Sequence, residues 1–195
     1  RIILKPCKIF KDPFRGEGNY LVLCDTYNPD STPHETNTRH VASKIFDKFY
    51  DQKPLYGIEQ EFFITKGGRP LGFVDSQPEK QGEYYCGVGT VVGRDFIEEA
   101  LENCLKAELD ITGLNAEVAP SQWEFQVCAE GIKACDQIYI LRYILLRTAE
   151  KYGYSVNFHP KPIAGDWNGS GCHTNFSTRR MRENGGYEAI KEAIQ

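Results

Sequence analysis

Short β-rich runs near the start of the chain give way to helical stripes and isolated strands. Ile2-Ile3-Leu4 and Tyr20-Leu21-Val22-Leu23-Cys24 read as strands, with turn signals at Asp12-Pro13, Arg15-Gly16 and Gly18-Asn19 between them. Residues 28–36 form a polar, Pro-containing connector, the best boundary in the chain. A helix follows, with Thr36 or Asn37 as cap and the stripe Val41, Ile45, Phe46 and Phe49. Gly57 to Ile64 reads as a strand turned by Lys66-Gly67-Gly68-Arg69-Pro70, and residues 75–93 read as loop. A second helix is predicted from about Arg94 to Glu108, with Phe96, Ile97, Ala100, Leu101, Cys104 and Leu105 as its stripe. Strands near 114–119 and 122–127 flank Pro120-Ser121. The longest helix runs from about Gly131 to Tyr152, with Ile138, Leu141, Leu145 and Thr148 on one face and Gly153 after its end. A strand at Val156–Pro160, a Gly-rich loop at 161–172, a strand at Cys172–Phe176 and a helix from Gly186 complete the pattern. Strands are grouped rather than strictly alternating with helices, which makes the fold class α+β.

The chain has 195 residues, 41% hydrophobic and 26% charged, with a formal net charge of −4. That is enough to bury a sizeable core. Nothing basic points to nucleic acid, and no apolar run approaches the length of a membrane span, so neither partner is expected. The seven cysteines are odd in number, irregular in spacing and without a CxxC pair. They read as reduced, mostly buried thiols of a cytoplasmic protein. The apolar part of Arg1–Pro6 is too short for a signal peptide. The chain opens in mid-strand and stops in mid-helix, so it is expected to be part of a longer polypeptide.

Carboxylates inside apolar strands carry the candidate chemistry, because such groups are costly unless paired, hydrogen-bonded or metal-bound. In Gly57-Ile58-Glu59-Gln60-Glu61, strand alternation puts Glu59 and Glu61 on one face about 6.6 Å apart. That spacing suits two cations, although an edge strand with one wet face would look the same. Glu117 and Glu124 lie on either side of Pro120-Ser121. A tight turn there would bring both together on a sheet, and a longer one would let them face opposite ways. His173 follows the loop Gly165-Asp166-Trp167-Asn168-Gly169-Ser170-Gly171 and shares a strand face with Asn175 and Ser177. It reads either as a ligand or as a satisfied strand histidine. Together Glu59, Glu61, Glu117, Glu124 and His173 form an oxygen-rich set suited to Mg²⁺ or Mn²⁺, which with a Gly-rich loop implies phosphoryl chemistry.

These blocks resemble glutamine synthetase of the eukaryotic type. The resemblance rests on Asp12-Pro13-Phe14-Arg15, Glu35-Thr36-Asn37-x-Arg39-His40, Gly57-x-Glu59-Gln60-Glu61, Tyr84-Tyr85-Cys86-Gly87-Val88-Gly89, Asn115-Ala116-Glu117 through Gln122-Trp123-Glu124-Phe125-Gln126, and Asn168-Gly169-x-Gly171-Cys172-His173-Thr174-Asn175-Phe176-Ser177-Thr178. It implies ATP-dependent joining of ammonium to L-glutamate through γ-glutamyl phosphate. It assigns Glu61, Glu117 and Glu124 to a metal near glutamate, and Glu59 and His173 to a metal near the ATP phosphates. Two to three Mg²⁺ or Mn²⁺ ions per site are implied. Asn168, Gly169 and Glu124 match substrate-binding positions, and Asn175 and Ser177 match nucleotide-binding ones. Catalytic residues proper are expected outside this stretch.

The implied architecture is the end of a β-grasp domain with its connector (1–36), then the first part of a catalytic domain (37–195) built on a curved antiparallel sheet with flanking helices. The implied assembly is a homo-oligomer of two stacked rings with active sites between adjacent subunits. The chain departs from the family in a shorter segment at Gly89–Arg94, in Leu55-Tyr56 before the E-x-E strand, and in Asp166. Two other readings stay open, a γ-glutamyl ligase using another amine and a non-catalytic structural paralogue.

Overall fold

A twelve-residue strand, β3 (Leu55–Lys66), is bordered on both sides and fixes the layout. The computed structural model describes residues 1–73, 87–89 and 91–195. Most of the expected 75–93 loop, including Tyr84-Tyr85-Cys86, lies outside the described residues. Before β3 come the antiparallel strands β1 (Ile3–Lys11) and β2 (Tyr20–Tyr27), then α1 (Thr38–Lys48). Asn37 caps α1 by accepting the His40 N–H. After β3 come β4 (Arg69–Pro70), α2 (Arg94–Lys106), β5 (Ile111–Ala116), β6 (Gln122–Glu130), α3 (Ile132–Tyr152), β7 (Ser155–Asn157), β8 (Cys172–Ser177), α4 (Arg179–Arg182) and α5 (Gly186–Ala193).

One edge of β3 pairs antiparallel with β6 from Leu55↔Glu130 to Phe63↔Gln122. Further pairs are made with β8 over Leu55–Gln60 and with β7 over Phe63–Thr65. β5 lies outside β6. The result is a mixed α/β structure with antiparallel sheets and flanking helices, and among the described residues the sheet does not close into a barrel. Alternation then sorts the side chains. Ile58, Phe62 and Ile64 of β3, with Phe125 and Val127 of β6, pack with Phe96, Ile97, Ala100 and Cys104 of α2 and Leu141, Ile144 and Leu145 of α3. Each fully buried Phe, Ile or Leu among them contributes about 1.5–3 kcal/mol. Glu59, Glu61, Gln122, Glu124 and Gln126 lie on the opposite face.

The β1–β2 hairpin docks through Phe10, Phe14, Leu21 and Leu23 and through one ionic fork. Arg39 of α1 donates from Nε and Nη2 to the two carboxylate oxygens of Asp136 on α3, at 2.8 and 2.9 Å. Its Nη1 lies 3.4 Å from Asp25 on β2. Asp136 is almost fully buried, so the bidentate geometry is what makes its charge tolerable there.

Several expectations need correction. The α1 stripe is not a core face. Val41, Ile45 and Phe49 are exposed, and only Phe46 finds a ring, Tyr56 at 5.7 Å. Leu105 is exposed too, because α2 presents Phe96, Ala100 and Cys104 to the core instead. The strand expected at 156–160 stops at Asn157, whose side chain accepts the His159 N–H and turns the chain. The strand expected to 119 ends at Ala116. The short α4, capped by Thr178, was not anticipated. Of the six described cysteines, all free, only Cys104 is fully buried, and Cys172 is exposed. No helix among the described residues is long and apolar enough to cross a membrane.

Replacing Arg39 with alanine leaves Asp136 buried without its partner. We expect a loss of about 3 kcal/mol in urea denaturation at fixed protomer concentration, and a loss below about 1 kcal/mol would show the fork to be an ordinary surface pair.

Candidate metal centre

Register brings the carboxylates together. Glu61 and Glu124 are direct partners across β3 and β6, and Asn115 faces Glu124 from β5. Glu117 lies one residue past β5, where its N–H donates to the Gln122 carbonyl at 2.8 Å and Gln122 N–H donates to the Ala119 carbonyl at 3.0 Å. The tight turn at Pro120-Ser121 is therefore present. Carboxylate oxygens of Glu61, Glu117 and Glu124 lie within 4.8 Å of one another. Glu117 and Glu124 are buried and Glu61 half-buried.

A second set sits alongside. His173 on β8 is the direct partner of Glu59, with Nδ1 3.4 Å from Glu59 Oε2. Asn175 Nδ2 donates to Glu59 Oε1 at 2.5 Å. Ser177 continues that face of β8, where Arg182 donates to its carbonyl and hydroxyl at 2.7 and 2.8 Å. Because β3 is interior to the sheet rather than an edge strand, the wet-edge explanation of E-x-E fails. Gln60 points the other way, is buried, and accepts from Arg142 of α3 at 2.8 Å. Cys172 shares that helix-facing side, within 3.8 Å of Arg142 Nη2, so it lies opposite His173.

Burial and crowding of like charge act together on these carboxyls. Burial first, then repulsion from Glu61 and Glu124, pushes the Glu117 carboxyl up to about 7. Burial also raises Glu124, with Glu59 and Glu61 adding to the rise, while the Gln126 hydrogen bond and His173 oppose it. Each carboxylate of the trio receives a neutral amide. Gln122 Nε2 donates to Glu61 at 2.7 Å, Gln126 Nε2 to Glu124 at 2.6 Å, and Asn115 Nδ2 to Glu117 at 3.0 Å. Amides orient the oxygens without neutralising them, and three convergent carboxylates with no ion-pair partner among the described residues are a donor set for a hard divalent cation.

The 165–171 loop closes one end. Trp167 packs with Phe63 and Ala119, with Ile163 and Phe73 beside them. The Gly169 carbonyl accepts from Gln122 Nε2 at 2.8 Å, and the Gly171 carbonyl accepts from Glu61 N–H at 3.1 Å. Asn168 sits half-buried in the same loop. The loop thus reaches the acidic trio through its backbone. The residues not anticipated are Asn115, Gln122 and Gln126. Strand alternation was the available signal, since Gln122, Glu124 and Gln126 must share a face.

An acidic site on an antiparallel sheet, backed by two helices and closed by a Gly-rich loop, is an arrangement that could hold a divalent cation. Residues 35–193 match the family described as "Glutamine synthetase, catalytic domain", and the chain belongs to that family. It is 52% identical to "Glutamine synthetase" of Agaricus bisporus, over all of this chain and 56% of the relative. It is 50% identical to "Glutamine synthetase 1, mitochondrial" of Drosophila melanogaster, over 98% of this chain and 49% of the relative. It is also 50% identical to "Glutamine synthetase cytosolic isozyme 2" of Vitis vinifera, over 100% of this chain and 57% of the relative. The chain spans about half the length of the curated relatives it matches.

Three outcomes check the cluster. At a hundredfold excess over its Kd, Mn²⁺ should stabilise the protein by about 2.7 kcal/mol relative to EDTA. Glu117→Gln should raise the metal-free melting temperature, by relieving repulsion, and abolish most of the Mn²⁺ shift. Cys172→Ser should leave that shift intact, and its loss there would mean that β8 is facing the other way.

Proposed function

We propose that the polypeptide carrying this chain is an ATP-dependent glutamate–ammonia ligase, with the convergence of Glu61, Glu117 and Glu124 beside Glu59 and His173 as the observation that carries the reading. In this reading Glu61, Glu117 and Glu124 would hold a cation near glutamate, and Glu59 and His173 a second near the nucleotide phosphates. Bound Mg²⁺ or Mn²⁺ would neutralise charge on the phosphoryl oxygens during transfer. Asn168 and Gly169 would bind glutamate, with Glu124 beside it, and Asn175 and Ser177 would border ATP. The γ-carboxylate of glutamate attacks the γ-phosphate of ATP, giving γ-glutamyl phosphate and ADP. Ammonia then displaces phosphate to give glutamine.

Phosphorylation turns a poor electrophile into an acyl group with a good leaving group. The protein's share is orientation and exclusion of water. The buried Phe63–Ala119–Trp167 cluster supports the latter, since it seals the loop end of the site. An interior β3 supports the former, since it holds Glu59 and Glu61 on a strand paired along both edges.

The same reading divides the chain into the end of a β-grasp domain with its connector (1–36) and the first part of the catalytic domain (37–195), and the family match starting at residue 35 supports that boundary. It also places the chain in a homo-oligomer of two stacked rings with shared sites. His173 and Asn175 lie on an open face with room for a neighbour. A cytoplasmic location is supported by the cytosolic relative, beside a relative named as mitochondrial.

The test is ADP release by the complete polypeptide with ATP, Mg²⁺, glutamate and ammonium each omitted in turn. Release requiring both glutamate and ammonium is expected, and release indifferent to ammonium would point to another amine. Glu124→Gln should lower kcat by roughly a hundredfold or more, with the assembly unchanged in sedimentation, and unaltered turnover in that variant would sink the site assignment.

A further inference from the structure

Gln122 makes contacts to three separate parts of the site. Its side chain is fully buried. Nε2 donates to Glu61 Oε2 at 2.7 Å and to the Gly169 carbonyl at 2.8 Å. Oε1 accepts from the Ala119 N–H at 3.3 Å, and the backbone carbonyl accepts from Glu117 N–H at 2.8 Å. The amide orientation is not ambiguous. A carboxylate and a carbonyl both require a donor, and a backbone N–H requires an acceptor, so a flipped amide would fail all three contacts.

We infer that Gln122 is a positioning residue that couples cation binding at the acidic trio to the order of the 165–171 loop. The argument is one of shared hydrogens. Both Nε2 protons are committed, one to a cluster carboxylate and one to the loop. With Glu61 free to move under repulsion from Glu117 and Glu124, the amide moves with it and the Gly169 carbonyl loses its donor. With a cation drawing the trio together, Glu61 Oε2 is held, Nε2 is held, and Gly169 is fixed.

A second link runs in parallel, from Glu61 N–H to the Gly171 carbonyl at 3.1 Å. The loop has little slack to absorb such a shift, since Ser170 N–H donates to the Pro160 carbonyl at 2.8 Å and a Cβ on Gly169 would meet that same carbonyl oxygen at 3.0 Å. By contrast Gln126, which donates to Glu124 and to Asn115 Oδ1, contacts the cluster without touching the loop. The two amides therefore separate weaker metal binding from lost coupling. The consequence for glutamate rests on the ligase reading; the consequence for the cation and the loop does not.

The experiment is hydrogen–deuterium exchange, read by mass spectrometry, on the complete assembled protein in EDTA and in Mg²⁺, with no substrate. Residues 165–171 should exchange more slowly with Mg²⁺ in the wild type, and a loop indifferent to Mg²⁺ overturns the inference whatever any variant does. In Gln122→Leu, Mn²⁺ affinity should fall by roughly tenfold, and the loop should stay unprotected even at saturating Mn²⁺. Gln126→Leu should weaken Mn²⁺ binding yet keep the loop's protection at saturation. A folded Gln122→Leu that retains metal-dependent protection overturns the coupling. In turnover, Gln122→Leu should raise KM for glutamate by about tenfold while KM for ATP moves by less than about twofold, and equal changes in both would mean that the residue acts on the fold at large. A protein that releases no ADP would remove the ligase reading and leave the exchange result standing.

Discussion

Glu61 and Glu124 face each other across adjacent antiparallel strands, and the rest of the site answers to that constraint. Like charges directly opposite are unfavourable on an exposed sheet and worse on a buried one. Glu117 enters the same space from the β5–β6 turn. The sheet tolerates the three because its other face is anchored by Phe62, Ile64 and Phe125 against α2 and α3. Separating the carboxylates by a slip in register would expose that apolar layer, since a one-residue shift exchanges the two faces. Hydrophobic packing on one side therefore holds electrostatic repulsion in place on the other.

Polar side chains at the sheet divide into two kinds according to which face they serve. On the helix side, Gln60 is satisfied by Arg142 and donates to the Glu61 carbonyl at 2.7 Å, which pins the β3 backbone just after Glu61. On the acidic side, the amides of Asn115, Gln122 and Gln126 aim single carboxylate oxygens. Lysine or arginine in their places would neutralise the cluster permanently and compete with any cation. A neutral donor fixes geometry and leaves the charge available.

Much of this was legible in the chain. Alternation alone put Glu59 and Glu61 on one face, whereas Pro120-Ser121 left a tight and a longer turn open, and the structure has the tight one, which gathers Glu117 and Glu124. Helix periodicity identified α2 and α3, with Gly153 ending the latter in a left-handed conformation at φ 64°. What alternation could not supply was which strand borders which. His173 meets Glu59 through pairing between residues more than a hundred positions apart, and no local signal encodes that. The α1 stripe misled for a related reason, since periodicity reports an apolar face but not whether anything covers it, and Val41 and Ile45 remain exposed. The amides escaped notice because a glutamine on a strand is unremarkable until its register partner is a carboxylate.

Burial grades across the site, and the grade orders the two candidate cation positions. Glu117 and Glu124 are 8% and 3% exposed, whereas the His173 side chain is 66% exposed against 28% for Glu59. Desolvation and repulsion make the deep trio unstable as three charged groups, which is why Glu117 is pushed up to about 7. A cation there replaces both lost water and lost pairing. The outer pair has less to relieve, since Glu59 already accepts from Asn175 and faces an imidazole in partial contact with water. Solvent competes for that outer position and scarcely reaches the inner one. The inner trio thus offers a cation the larger electrostatic relief, and the more exposed outer pair offers less.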